Sequence, residues 1–281
     1  MNSQENEFKL ILLKLYKMSG FDFSQYREGT IRRRLARRMS ITGTVDYRGY
    51  LEILEEKPQE YGYLLETLTI KVSRFFRNHH VFETLQDDLF PDLFRQKEET
   101  RTNVIRIWCA GCAFGEEVYS VAISLAAYLK KNGEKPGNYD ITLFGTDIDE
   151  ETLEKARLGV YGKEAVKEVA REILDAYFFV QRDQYRLIES IKSLVSFTIH
   201  DLTSKKYLCP PAGIVANYDL ILCRNTLIYF SAPLQERVFS NLFRSLNRGG
   251  YLILGKSESI PKHLEKFFVL DNRKDRIYQK K

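Results

Sequence analysis

From residue 103 onward the chain alternates short apolar runs with helical patterns: VIRIWCA, EEVYSVAISLAAYLKK, ITLFGTD, EETLEKARLG, VSFTIHD, YDLILC, PLQERVFSNLFRSL and YLILG. Strands separated by helices cannot be joined as hairpins, so this order predicts an α/β domain with a doubly wound, mostly parallel sheet over 103–281. Between helix EETLEKARLG and strand VSFTIHD, alternating segments flank the polar QRDQ and predict a small inserted β-hairpin subdomain at about 176–196. Residues 1–70 carry no strand pattern and read as a small helical domain, with EFKLILLKLYKMSG, TIRRRLARRM, VDYRGYLEILEEK and EYGYLLETLTI punctuated by Gly20, Gly43 and Pro58. Residues 71–102 join the two as a linker helix region that contributes to the site. With 281 residues, 44% of them hydrophobic, the chain can bury a core without disulfide staples.

No apolar run approaches the ~20 residues of a membrane helix, and the polar start MNSQENEF lacks a signal pattern. A cytoplasmic protein with reduced thiols is expected. The net charge of +5 is modest but uneven, because Arg27, Arg32, Arg33, Arg34, Arg37 and Arg38 crowd one segment. There Thr30 is placed to cap a helix on which Ile31, Leu35 and Met39 form a narrow apolar stripe, so the arginines are expected to face outward. Such a face suits an acidic protein, a nucleic acid or an anionic membrane.

The stretch WCAGCAFGEEVYS ends a strand in Ala110-Gly111, places Gly115 four residues on, and begins a helix at Glu116. Glycines let the backbone approach a ligand, and the first helical turn offers unpaired N–H groups. The spacing departs from the dinucleotide pattern, and two acids follow at once, which would repel a polyphosphate. A ligand carrying both an ammonium and a carboxylate fits better, such as the methionine part of S-adenosylmethionine (SAM). Cys109 and Cys112 have the spacing of a redox or metal pair, but Cys209 and Cys223 supply no second one, so small apolar and turn roles are expected and no metal is assigned. Asp147 at the end of the second strand is placed to accept the ribose hydroxyls, and Asp201 after the third strand lies beside the base.

The segments VSRFFRN, WCAGCAFGEEVYS, GTDIDEETLEKARLGVY, YDLILCRNTLIYF and GGYLILGKSES resemble, in order, the signature segments of the CheR-type chemotaxis receptor methyltransferases. The arginine-rich amino-terminal helices resemble that family's receptor-facing domain, so the resemblance covers nearly the whole chain. It implies a Rossmann-like SAM-dependent fold and methyl transfer from SAM to glutamate side chains of chemoreceptor helices, leaving S-adenosylhomocysteine. It further implies that Lys71, Ser73, Arg77, Gly111, Glu117, Asp147, Asp201, Leu202, Arg224 and Asn225 form the cofactor site, and that Arg77 and Tyr229 belong to the reaction centre. Lys71 and Asp201 stand where asparagine is familiar, and Ser73 where threonine is.

A glutamate carboxylate is already ionised and nucleophilic at neutral pH, so the transfer needs no general base. This agrees with His79, His80, His200 and His263 forming no acid/base constellation in the sequence; the pair His79-His80 reads as a surface feature at a helix start. Arg32, Arg33, Arg34, Arg37 and Arg38 are the expected receptor-binding residues. Some members of that family bind a tethering receptor peptide through a glycine-containing loop in this hairpin; QRDQ contains no glycine, so the resemblance implies a form that finds its receptor without the tether. A monomer with no nucleic-acid partner and no membrane insertion completes the reading. The alternatives are a nucleic-acid methyltransferase and a non-enzymatic SAM-sensing protein. Against the first, the fourth strand ends in Cys223-Arg224-Asn225, and Pro210-Pro211 precedes that strand instead of closing it.

Overall fold

The computed structural model describes residues 3–69, 71, 73–204, 208–210 and 217–281. Val72 of the VSRFFRN segment and Pro211 of the proline pair lie outside the described residues. The chain forms two compact units, one of residues 1–71 with 229–235 and one of residues 72–228 with 236–281.

In the first unit, α1 (Ser3–Ser19), α2 (Glu28–Thr42), α3 (Tyr47–Glu56) and α4 (Glu60–Leu68) surround a core that includes Phe8, Ile11, Leu15, Ile31, Leu35, Tyr50, Leu54 and Leu64. Asp46 caps α3 by accepting the Gly49 N–H at 2.8 Å. Helix α2 begins earlier than Thr30 predicted, at Glu28, and its cap position Arg27 uses no side-chain cap bond. The reason lies outside the helix: Tyr26 bridges Phe230 in antiparallel fashion, and this pairing holds the chain extended up to Arg27.

The arginines of α2 also depart from the expected outward face. Ile31, Leu35 and Met39 are buried as predicted, but Arg32, Arg34 and Arg38 beside them are only half exposed. Arg32 pairs with Glu5 and Glu28, and its guanidinium lies 3.9 Å from the Phe8 ring centre. Arg34 Nη1 donates to the Thr67 carbonyl at 2.6 Å. Arg38 binds both oxygens of the buried Glu60, which also accepts the Tyr50 hydroxyl at 2.8 Å. Flanking an apolar stripe, these long side chains reach across it to neighbouring helices. Arg33 and Arg37 remain exposed.

The second unit opens with α5 (His80–Thr84), a π-turn at Leu85–Leu89 and α6 (Phe90–Thr100). Pro91 lacks the N–H that would continue the helical ladder, and the Phe90 N–H bonds five residues back to Leu85. Then follow β1 (Val104–Ala110), α7 (Glu116–Lys131), β2 (Asp140–Asp147), α8 (Glu150–Leu158) and β3 (Val160–Gly162). Next come α9 (Lys163–Val166), α10 (Arg171–Tyr177), β4 (Phe178–Gln181), β5 (Gln184–Leu187), α11 (Glu189–Lys192) and β6 (Val195–Ile199). The chain ends with β7 (Tyr218–Cys223), α12 (Ala232–Ser245), β8 (Leu246–Leu254), β9 (Phe268–Asn272) and β10 (Ile277–Lys280).

Seven strands form one sheet in the order β6-β2-β1-β7-β8-β10-β9, parallel except that β10 runs antiparallel to both its neighbours. Strands β3, β5 and β4 form a separate antiparallel sheet around the Arg182-Asp183 turn. Ile105, Ile107 and Cys109 of β1 face a core shared with Leu85, Phe90 and Val118. Trp108 points to the other face, where its ring lies 5.4 Å from Tyr218 and its Nε1–H donates to Thr146 Oγ1 at 2.9 Å. The sheet order turns back at β1, with β2 and β6 on one side and β7 and β8 on the other. At such a reversal, beyond the carboxyl ends of the strands, here β1 and β7, α/β sheets of this kind bind ligands. Among the described residues no helix is long and apolar enough to cross a membrane.

Candidate active site

After β1 the backbone takes three left-handed residues, Gly111, Ala113 and Gly115, with φ of 73°, 47° and 87°. A Cβ on Gly111 would lie 2.5 Å from Thr226 Oγ1, so both the conformation and the space require glycine there. The turn is sewn to the end of β2: the Gly111 and Cys112 N–H groups both donate to the Thr146 carbonyl, at 2.8 and 2.9 Å. Asp147, the last residue of β2, accepts the Ala113 N–H at 3.0 Å and the Asp149 N–H at 3.2 Å. Burial nevertheless raises its carboxyl above the ordinary aspartate value.

Helix α7 starts at this turn with Glu116 and Glu117. Glu116 is buried and hydrogen-bonded to Ser73, and burial pushes its carboxyl up to about 6; its Oε2 has no hydrogen-bond partner among the described residues. Glu117 pairs with Arg224, the residue after β7, at 2.7 Å. The same guanidinium donates from Nη2 to the Arg77 carbonyl at 2.9 Å and to Asn78 Oδ1 at 3.1 Å, while its buried Nε lacks a partner among the described residues. Arg224 therefore ties the tip of β7 to α7 and to the loop that carries Arg77.

That loop is itself constrained. Phe76 and Asn78 are left-handed at φ of 52° and 63°, which is unfavourable for a phenylalanine. Burial of both phenylalanines offsets the strain: Phe75 meets Tyr161 and Phe178 edge-on at 4.8 and 5.3 Å, and Phe76 meets Phe82 at 5.2 Å. The Phe76 N–H also donates to Ser120 Oγ on α7 at 2.9 Å. Arg77, half-buried, sits between these anchors.

The predicted residues are thus brought together in part. Gly111 and Asp147 share one turn; Ser73 reaches Glu116; Arg77, Glu117 and Arg224 meet in one cluster. Asn225 adopts a left-handed φ of 60°, and its N–H donates to Glu258 Oε2 at 2.9 Å. Asp201 Oδ1 accepts the Thr203 N–H at 2.7 Å, closing a local turn that contains Leu202. Lys71 and Tyr229 belong to the first unit. Tyr229 ends the short helical turn Leu227–Tyr229 that follows β7.

Two residues escaped the sequence reading. Glu116 was read only as part of an acidic pair. Glu258, in the loop after β8, is buried and accepts N–H groups from Asn225, Gly255 and Ile228 at 2.9, 2.7 and 3.2 Å. Its one visible signal is an acid three residues after Gly255, the residue that follows β8. The four cysteines form no disulfide, and burial raises the thiols of Cys109, Cys112 and Cys223 well above their ordinary value, keeping them protonated. At the start of α5, His79, His80 and Glu83 bring ligand atoms within 4.8 Å of one another. A divalent cation can bridge that spacing, but the amino end of a helix opposes one, and His79 and Glu83 are exposed.

Carboxylates at Glu116, Glu117 and Asp147 beside a glycine turn exclude a polyphosphate and suit a ligand with an ammonium or sulfonium charge. The comparisons with known proteins agree. Residues 71–275 match the SAM-binding domain of the CheR methyltransferases, and residues 6–69 match the all-alpha domain of the same proteins. The chain is 31% identical over 269 residues to the chemotaxis protein methyltransferase of Escherichia coli, covering 94% of this chain and 87% of that one. It is 30% identical over 268 residues to chemotaxis protein methyltransferase 2 of Vibrio cholerae, covering 94% and 89%. An uncharacterized 104.1 kDa protein of Rhodobacter capsulatus is 32% identical over 269 residues, and there the match spans 95% of this chain and 27% of the relative. With both domains matched over most of their length, the chain belongs to the CheR methyltransferase family.

Proposed function

We propose that this protein transfers the methyl group of SAM to the side-chain carboxylate of glutamates on the cytoplasmic helices of a chemoreceptor, forming a methyl ester. The observation that carries the reading is the Gly111–Gly115 turn with the Asp147 carboxylate held over it, in a chain matching the family's SAM-binding domain. The residues fit this cofactor. Glu117 and Glu116 offer negative charge to the ammonium end, Asp147 accepts from the ribose, and Arg224 Nε is a buried donor for a carboxylate. Asn225 and Ser73 contact the cofactor in this reading, with Asp201 and Leu202 at the base, and the family resemblance adds Lys71.

Bound SAM supplies an electrophilic methyl group on a sulfonium. The protein's own work is alignment, because the acceptor glutamate is already ionised and no proton has to be removed. Arg77 holds the incoming carboxylate through hydrogen bonds that orient it and leave a lone pair free. Tyr229 positions the acceptor through its hydroxyl. The transfer converts an anion and a cation into neutral products, so a fixed, water-poor crevice favours it over bulk water. The exposed Arg33 and Arg37 attract the acidic receptor helix and set its approach.

The test is transfer of labelled methyl groups from SAM to membranes bearing chemoreceptors. Label on the receptor band that mild alkali releases supports the ester; label on DNA or RNA, or alkali-stable label, overturns it. Replacing Arg77 with Ala should lower turnover by about 10²-fold.

A further inference from the structure

We infer that Arg27, at the head of the arginine-bearing helix α2, is a positioning residue for Tyr229. Its backbone N–H donates to the Tyr229 carbonyl at 2.8 Å, and its Nε donates to the next carbonyl, that of Phe230, at 3.2 Å. The Ser231 N–H returns a bond to the Gln25 carbonyl at 3.0 Å. Between these bonds Tyr26 and Phe230 form an antiparallel bridge, their rings edge-on at 5.0 Å and 77°. Residues 229–231 are thus registered against residues 25–27 like a short strand, although the two stretches lie about 200 residues apart in the chain.

This clasp fixes the backbone of Tyr229 on its carboxyl side. On its amino side the preceding Ile228 N–H is held by Glu258 Oε1 at 3.2 Å. A phenol hydroxyl stands far from its own Cα, so a backbone turn of roughly 10° displaces it by about 1 Å, and a misplacement of that size can cost up to 10²-fold in rate. Arg34, about two helical turns further along α2, has Tyr229 among the groups within its electrostatic reach. The helix that presents Arg33 and Arg37 therefore also carries the residue that sets the Tyr229 backbone. Arg27 acts through carbonyl oxygens and not through an ion pair, which separates it from a docking charge.

The inference rests on the proposed role of Tyr229, and the experiment keeps the two apart. Turnover, KM for receptor membranes and SAM affinity by calorimetry are measured on the full chain for wild type, Arg27→Ala, Arg27→Lys, Tyr229→Phe and the Arg27→Ala/Tyr229→Phe double variant. Arg27 is exposed and its backbone bond survives substitution, so the variants should fold. The expected result is a fall in kcat of about tenfold for Arg27→Ala, with KM and SAM affinity within twofold of wild type. Lysine should recover most of the loss, since its ammonium can reach the Phe230 carbonyl. In the Tyr229→Phe background Arg27→Ala should cost nothing further. A normal kcat for Arg27→Ala beside an impaired Tyr229→Phe overturns the inference alone, as does a full additional loss in the double variant or a loss confined to KM. A Tyr229→Phe protein with wild-type turnover removes Tyr229 from the reaction centre and overturns both.

Discussion

Arg224 Nη1 donates to Glu117 Oε2 at 2.7 Å, with the two side chains only 2% and 15% exposed. Withdrawing both charges from water is costly, and the pair is retained because the guanidinium also satisfies the Arg77 carbonyl and Asn78 Oδ1. Removing either partner strands the other as a buried charge. Glu117→Gln and Arg224→Met should each cost about 3–5 kcal/mol in urea unfolding, and the double variant less than their sum. Strict additivity would show that the two side chains do not act as a pair.

How far the sequence disclosed this site depends on what each residue answers to. The Gly111 turn, Asp147 and Arg224 were legible because each follows the end of an apolar run, and strand ends at a sheet reversal collect ligand residues whatever the loops do. Glu258 was not, since its partners Asn225 and Ile228 lie 33 and 30 residues earlier in the chain and no local period records them. The start of α2 was misplaced for the same reason: pairing with residues 229–231 overrode the local signal of Thr30. The arginine face was legible only as charge. An apolar stripe says which positions are buried, and says nothing of which flanking arginines reach neighbours such as Glu5 and Glu60.

Glu258 provides a second test. Its carboxylate gathers backbone N–H groups from the loops after β7 and β8 with both oxygens, and an amide offers only one oxygen to do so. Glu258→Gln should destabilise the protein by about 2–3 kcal/mol and weaken SAM binding in calorimetry, because Asn225 loses its anchor. A variant with wild-type unfolding midpoint and wild-type affinity would show that the loops hold themselves.

Glu116 predicts a pH dependence with a definite sign. Burial raises its carboxyl from 4.5 to about 6, so between these values the folded protein keeps a proton that the unfolded chain releases. Its contribution is complete below about pH 4.5 and is lost as the pH rises through 6, to a total of about 2 kcal/mol. Buried His200 has the opposite slope, since burial lowers its imidazole to about 4 and stability falls as the pH drops below 6.5. The two are separated by comparing wild type with Glu116→Gln across pH 4.5 to 7.5. The variant should gain relative stability as the pH rises, and parallel curves would show that Glu116 ionises without penalty.

The α2 arginines separate docking from architecture. Arg38 is 15% exposed and grips Glu60, itself 6% exposed, so Arg38→Glu places two buried carboxylates together and should unfold the helical unit or lower its stability by more than 3 kcal/mol. Arg33 and Arg37 are exposed, and surface substitutions of this kind usually cost within about 0.5 kcal/mol. Reversing both to Glu should leave the thermal midpoint and SAM affinity unchanged while slowing methylation of receptor membranes, through the rate of encounter more than through turnover. Because encounter is driven by charge, the deficit should shrink as salt rises from 50 to 300 mM and the ~10 Å screening length at 0.1 M contracts. A deficit that is independent of salt would mean that Arg33 and Arg37 act by shape, and equal loss of SAM affinity would mean that they do not act at the receptor at all.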